Sequence, residues 1–164
     1  MSKVIRILGI DPGLRRCGWG LVDADGARVR FVQCGTITPP AAAPMSERLL
    51  AIFSALGGVI ARHQPQRAAI EDTFVNANPA SALKLGAARA AAMLAPAQAG
   101  LAVASYAPRT IKKALVGTGR ADKAQMAAMI TVLLPGCSAR ADEADALAVA
   151  ICAAHHAPAL EQAS

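Results

Sequence analysis

Four carboxylates stand out by position in this chain: Asp11, Glu71, Asp142 and Asp145. Asp11 closes the run Val4 to Ile10, which is apolar except for Arg6 and Gly9 and β-branched at Val4, Ile5, Ile7 and Ile10. Such a run predicts a strand buried on most of its surface, in the middle of a sheet. Pro12-Gly13 follows at once, and proline cannot donate to a ladder, so pairing ends there. Glu71 also lies at the end of a predicted strand, Ala68 to Asp72. If the two strands are parallel neighbours, the two acids lie side by side. Successive strand residues point to opposite faces, so only one of Glu71 and Asp72 can join Asp11. Glu71 is the choice, because Ile70 shares the other face with Asp72. Asp142 and Asp145 are spaced i, i+3 on a predicted helix and share a face, whereas Glu143 points elsewhere.

Each acid also has an ordinary reading. Asp11-Pro12-Gly13 suits a plain turn, Asp142 a helix N-cap, and Asp145 a first-turn acid favoured by the helix dipole. Ala146, Leu147 and Ala148, expected to be buried, follow directly on the two helix acids. Clustered carboxylates repel and raise each other's pKa unless a cation sits among them. Their oxygens are hard ligands suited to Mg²⁺ or Mn²⁺. Two such ions, roughly 3.5–4 Å apart, activate a water and stabilise the leaving oxygen of a phosphodiester.

The elements that must position these acids follow from periodicity. Gly18 to Val22 resumes as a second strand, Asp23-Ala24-Asp25-Gly26 makes a hairpin turn, and Arg28 to Ile37 is a half-buried third strand. That strand alternates Arg28, Arg30 and Val32 with Val29, Phe31 and Gln33. Gly13, Gly18 and Gly20 permit close backbone approach. Ser46 is the expected N-cap of a helix in which Leu49, Ile52, Phe53, Leu56, Val59 and Ile60 recur at helical spacing, with Arg48 and Arg62 facing away. Asn78-Pro79 opens a second helix, rich in alanine and glycine through Gly86 and Ala90 to Ala92. Leu101 to Tyr106 is a fifth strand, and Pro108 starts a short helix carrying Lys112 and Lys113. A glycine loop, Val116 to Arg120, leads to a helix over about Asp122 to Leu134. A last helix runs from about Ala141 to His155 or beyond. Three strands joined by tight turns, then strand and helix alternating, give an α/β fold: a mixed five-stranded sheet with helices on both faces. Residues 1–158 form a single domain, and 159–164 a disordered tail.

Composition narrows the partners. The chain has 164 residues, 54% hydrophobic but only 3% aromatic, so the core is built from Ala, Val, Leu and Ile. Lysine and arginine number 17 against 11 acids, a net charge of +6 with pI near 9.6, which favours a polyanionic partner such as nucleic acid. Cys17, Cys34, Cys137 and Cys152 show no metal-ligand spacing and read as reduced structural thiols. With no secretory pattern and no apolar run of about eighteen residues, the expected location is the cytoplasm.

Six short motifs then occur in order: Leu8-Gly-Ile-Asp-Pro-Gly13, Ala69-Ile-Glu71, Ala80-Ser-Ala-Leu-Lys-Leu-Gly86, Tyr106-Ala-Pro-Arg109, Val116-Gly117 and Ala141-Asp-Glu-Ala-Asp-Ala-Leu-Ala148. With these motifs the sequence resembles the RuvC family of bacterial Holliday-junction resolvases, over Val4 to about Ala154. The resemblance implies an RNase H-like fold, a homodimer, and Mg²⁺-dependent paired nicking of four-way DNA junctions, with Mn²⁺ as a substitute and two ions per site. It implies that Asp11, Glu71, Asp142 and Asp145 are the catalytic metal ligands and that 5′-phosphate and 3′-hydroxyl ends result; Asp11 is expected to bridge both ions. Some members of the family carry histidine where this chain has Asp142. Lys112 and Lys123 correspond to lysines important in the family, and Phe74 to an aromatic that stacks on a base near the crossover. Arg109 and Lys84, inside the matching motifs, are further expected DNA contacts, and a RuvA-RuvB complex is a possible partner. Leu14, Arg15 and Arg16 depart from the family's pattern, which leaves local phosphate contacts open.

Two rivals remain at this level. Asp-Pro-Gly after a first strand also resembles the phosphate turn of sugar kinases and actin-like ATPases, but those folds need a second Asp-x-Gly strand, which this chain lacks. A non-catalytic DNA-binding module would use the basic surface alone.

Overall fold

The computed structural model describes residues 3–72 and 78–161. Its strands are β1 (Ile5–Asp11), β2 (Cys17–Asp25), β3 (Arg28–Ile37), β4 (Arg67–Glu71) and β5 (Val103–Tyr106). They form one sheet in the order β3-β2-β1-β4-β5. β1 is central, antiparallel to β2 and parallel to β4, and β4 is parallel to β5. A parallel pair needs a crossover. The helices α1 (Met45–His63) and α2 (Pro79–Gln98) supply it and pack together on one face of the sheet. There Leu8, Ile10, Leu21 and Ile70 meet Ile52, Leu56, Ala88, Ala92 and Ala95. On the other face lie α3 (Pro108–Val116), α4 (Lys123–Leu133) and α5 (Ala141–Glu161). Here Ile7, Val22 and Ala69 meet Ile111, Leu115, Ile130 and the long apolar run Leu147 to Ala154 of α5. The mixed five-stranded sheet with helices on both faces is as the sequence predicts.

Three local details differ. β2 runs on to Asp25, which pairs with Arg28, so the hairpin turns at Gly26-Ala27 and not over Asp23 to Gly26. Gly26 adopts φ 59°, a conformation that glycine alone takes without strain. The pairing of β2 with β3 then slips by one residue between Leu21 and Val22. This bulge turns Cys34, not Gln33, to the face of Val29 and Phe31, while Val32 joins the opposite core. At α1 the cap position is Pro44, with no side-chain hydrogen bond, and Ser46 lies inside the first turn. The extended ψ of 152° at Pro44 sets the start of the helix before Ser46 is reached.

The sheet receives α5 at its glycines. A Cβ on Gly9 would run into the backbone of Ala146 and Ala150, and one on Gly18 into the carbonyl of Asp142. Gly18 pairs with Asp11 across β1 and β2. The entrance of α5 is thereby set down directly over the end of β1.

Candidate active site

The parallel register that pairs Ile10 with Ile70 puts Asp11 and Glu71 side by side at the carboxyl ends of β1 and β4. Ile7 and Ala69, on the same faces of those strands, pack against α5, so both acids point to the α5 side. Ile70 packs with α1 and α2 instead, and Asp72 follows it: its Oδ1 lies 3.2 Å from Arg89 Nη2 of α2. The same Arg89 nitrogen donates to Ser105 Oγ at 2.9 Å. The alternation argument therefore picks the acid that meets Asp11.

At the entrance of α5, capping falls to Glu143. Its Oε2 accepts from the backbone N–H of Arg140 at 2.9 Å, the reaching-back half of a capping box, and its other oxygen accepts from Thr36 Oγ1 at 3.4 Å. Neither Asp142 nor Asp145 is needed as a cap. Both are left facing the strand ends that bear Asp11 and Glu71.

The electrostatics record the convergence. The Asp11 carboxyl is pushed up to about 8, first by burial, then by the charges of Glu71, Asp145 and Asp142. It shares a hydrogen bond with Glu71. Burial raises Glu71 too, and Asp145 adds to the shift, while the hydrogen bond from Asp11 and the charges of Lys112 and Lys123 oppose it. Asp145 is raised by burial and by Asp142, against Lys123. Among the described residues, no three carboxylates are drawn tightly enough together to cage an ion as they stand. The hydrogen bond between Asp11 and Glu71, and Arg16 Nη1 at 3.7 Å from Asp142 Oδ2, hold the acids instead. The donor set itself fits hard divalent cations: half-buried oxygen ligands whose mutual repulsion positive charge relieves.

Lys112 and Lys123 line one pocket with Glu71 and Asp145, a cavity of about 420 Å³ floored by Ile111, Met126 and Ala148. Lys123 is the first residue of α4, where the helix dipole disfavours a cation, and the two acids opposite offset this. Arg109 is not brought to the acids; it lies with Lys113 and Thr118 beside the glycine loop. Lys84 lines a different cleft, with Arg15, Arg16 and Arg48, that reaches Asp142. Phe74 lies outside the described residues. Sequence reasoning missed Arg48, which does not face away but donates from Nη2 to the Leu14 carbonyl at 3.0 Å. Its helical position gave no signal of that.

The chain matches the family profile "Crossover junction endodeoxyribonuclease RuvC" over residues 7–153. It belongs to the RuvC family. A RuvC from Maricaulis maris is 62% identical over 156 residues, covering 95% of this chain and 94% of the relative. One from Azorhizobium caulinodans is 60% identical, covering 94% and 92%. Among solved structures, Thermus thermophilus RuvC in complex with a Holliday junction substrate superposes with a TM-score of 0.87 at 31% identity, covering 93% of this chain and 94% of that one. The RuvC fold and the activity of a crossover junction endodeoxyribonuclease follow from membership. In RuvC terms, the two strand tips and the entrance of α5 described above are the candidate nuclease centre. The fold likeness extends to a yeast mitochondrial Holliday junction resolvase, TM-score 0.72 at 13% identity. Among the described residues, no helix is long and apolar enough to cross a membrane.

Proposed function

We propose that this member of the RuvC family is a Mg²⁺-dependent nuclease, a single domain over residues 1–158, that resolves four-way DNA junctions in the cytoplasm by paired symmetric nicks. The observation carrying this reading is the joint field of Asp11, Glu71, Asp145 and Asp142 at the mouth of a lysine-lined pocket. Asp11, Glu71, Asp142 and Asp145 would hold Mg²⁺, or Mn²⁺ in its place, as two ions that supply an activated water and charge stabilisation at the leaving oxygen. Asp11, hydrogen-bonded to Glu71 and within the field of both α5 acids, would be the ligand shared by both ions. Water attacks phosphorus in line, the bond to the 3′ oxygen breaks, and a 5′-phosphate and a 3′-hydroxyl remain.

Lys112 and Lys123 keep Glu71, and Lys123 keeps Asp145, toward the charged form, and both contact the phosphates, with Arg109 and Lys84 as outlying contacts. Phe74 stacks on a base near the crossover, a contribution of roughly 1–3 kcal/mol. Phe74→Ala should therefore cleave poorly while remaining a dimer.

The dimer uses α2. Ala88, Ala91, Ala92 and Ala95 are buried against their own chain. Leu83 and Leu94 are 77% and 59% exposed, and Gly86 has open space before it. Exposed residues spaced along one helix face suit a two-fold partner, and a symmetric dimer suits a substrate with two equivalent strands to cut. Leu83→Glu with Leu94→Glu should sediment as a monomer; an unchanged dimer would move the interface elsewhere. The deciding assay compares junction, flap and linear duplex with and without Mg²⁺. Selective, metal-dependent cutting of the junction is expected, and equal cutting of all three would overturn the reading.

A further inference from the structure

We propose that Glu143 is a positioning residue of the nuclease centre: it ties the first turn of α5 to β3 and so sets where Asp142 and Asp145 meet Asp11 and Glu71. Resting on the nuclease reading above, this role adds a residue outside the four acids.

Asp11, Gly18 and Thr36 form one row across β1, β2 and β3. Side chains directly opposite one another on paired strands share a face, so Thr36 stands on the α5 side with Asp11. The first turn of α5 lies along that row. Its Asp142 carbonyl sits over Gly18, closer than a Cβ would allow. Its Glu143 carboxylate reaches Thr36: Oε1 accepts from Thr36 Oγ1 at 3.4 Å, and Oε2 from Cys34 Sγ at 3.6 Å. Both bonds are long, and the charge on the acceptor strengthens them. Burial first, then the charge of Glu143, pushes the Cys34 thiol up to about 12, so it keeps the proton it donates.

The remainder of α5 supplies little to fix its rotation. Ala146 to Ala154 are all buried, and five of these nine residues are alanine. A helix apolar all round has no polar face to orient it, and side chains that small key it weakly into its neighbours. Successive helix residues are about 100° apart, so Asp142 and Asp145 are separated by about 60°, with Glu143 about 100° and 160° from them. A carboxylate held on β3 at one flank therefore keeps the acid pair turned toward the strand tips at the other. Rotation by about 10° would swing a group about 5–6 Å from the helix axis by about 1 Å. A displacement of about 1 Å can cost about 10²-fold in rate.

Capping and positioning are separable here. The bond from the Arg140 N–H caps the helix within its own segment, whereas Thr36 and Cys34 hold Glu143 to the sheet. The test is Cys34→Ala/Thr36→Val, which leaves the cap, beside Glu143→Ala, which removes both, and Glu143→Gln, whose amide oxygen still accepts. The readouts are single-turnover cleavage of a saturating four-way junction, junction binding in EDTA and, without DNA, the rise in Tm as Mg²⁺ is added. In the double variant cleavage should fall by roughly 10–10²-fold, while binding in EDTA stays within about twofold of wild type. The Mg²⁺ needed for half the rise in Tm should increase several-fold. Glu143→Ala should lose at least as much, and Glu143→Gln should recover most of it. If the double variant does not fold, Thr36→Val alone carries the test in the same directions. A residue that only caps would lower Tm in Glu143→Ala and leave the double variant with wild-type cleavage and a wild-type response to Mg²⁺. That result would overturn the positioning role. Failure of the wild type to cut junctions would instead overturn the nuclease reading.

Discussion

Asp11 and Glu71 end neighbouring parallel strands, face the same side of the sheet and are hydrogen-bonded to each other. Replacing Asp11 with Asn keeps the shape and the hydrogen bond but removes a ligand charge. Junction binding should persist, while cleavage should fall by on the order of 10²–10³ or more, the loss typical of one charge-stabilising group. Nicking of a radiolabelled junction near the wild-type rate would show that Asp11 is no ligand.

The raised Asp11 carboxyl makes stability depend on pH. The folded Asp11 carboxyl titrates at about 8, above the value of about 3.9 for a free Asp. Between those values the folded state holds a proton that the unfolded state has released. Stability is therefore full at the acid end of that window and falls as pH rises through 8, by up to about 1.4 kcal/mol per pH unit. In EDTA, Tm should drop on going from pH 5 to 8.5, at about 2–4 °C per kcal/mol. Asp11→Asn should flatten that profile, and Mg²⁺ should restore Tm most at the alkaline end. A flat wild-type profile would mean the acids do not share a field.

Glu71 and Asp72 offer a comparison of neighbours on opposite faces. Glu71→Gln should abolish cleavage with little change in Tm. Asp72→Asn should keep cleavage and lower Tm by a few degrees, because it weakens a part-exposed ion pair to Arg89, typically worth about 0.2–1 kcal/mol. Reversed phenotypes would place Asp72 in the centre.

Gly18 and Gly57 form another pair. A methyl group on Gly18 collides with the Asp142 carbonyl, so Gly18→Ala should shift α5, cost about 1–3 kcal/mol and reduce cleavage with it. Gly57 sits inside α1 with open space before it, and Gly57→Ala should stabilise by about 0.5–1 kcal/mol. Thermal melts of both variants check the sign.

Lys112→Gln and Lys123→Gln should each lower the salt slope of junction binding by about 0.9. Each should also weaken cleavage beyond its effect on binding, since both lysines face acids of the centre. Equal salt sensitivity would leave them as solvated helix charges.

Local chemistry made much of this legible in the sequence alone. A β-branched run ending in Asp11-Pro12-Gly13 is a buried strand with an acid at its tip whatever surrounds it. Period-two alternation then separates Glu71 from Asp72, and i, i+3 spacing pairs Asp142 with Asp145. Those patterns depend on backbone geometry, which the chain carries within a few residues. Contacts between distant segments were decided only in three dimensions. Glu143 caps α5 because Arg140 and Thr36 come to it. A one-residue bulge swaps Gln33 for Cys34 on the inner face of β3. Arg48, which by its helical position should be solvated, turns inward because the carbonyl of Leu14 happens to lie within its reach. Long side chains follow the nearest partner, and that partner is chosen by packing, not by sequence spacing.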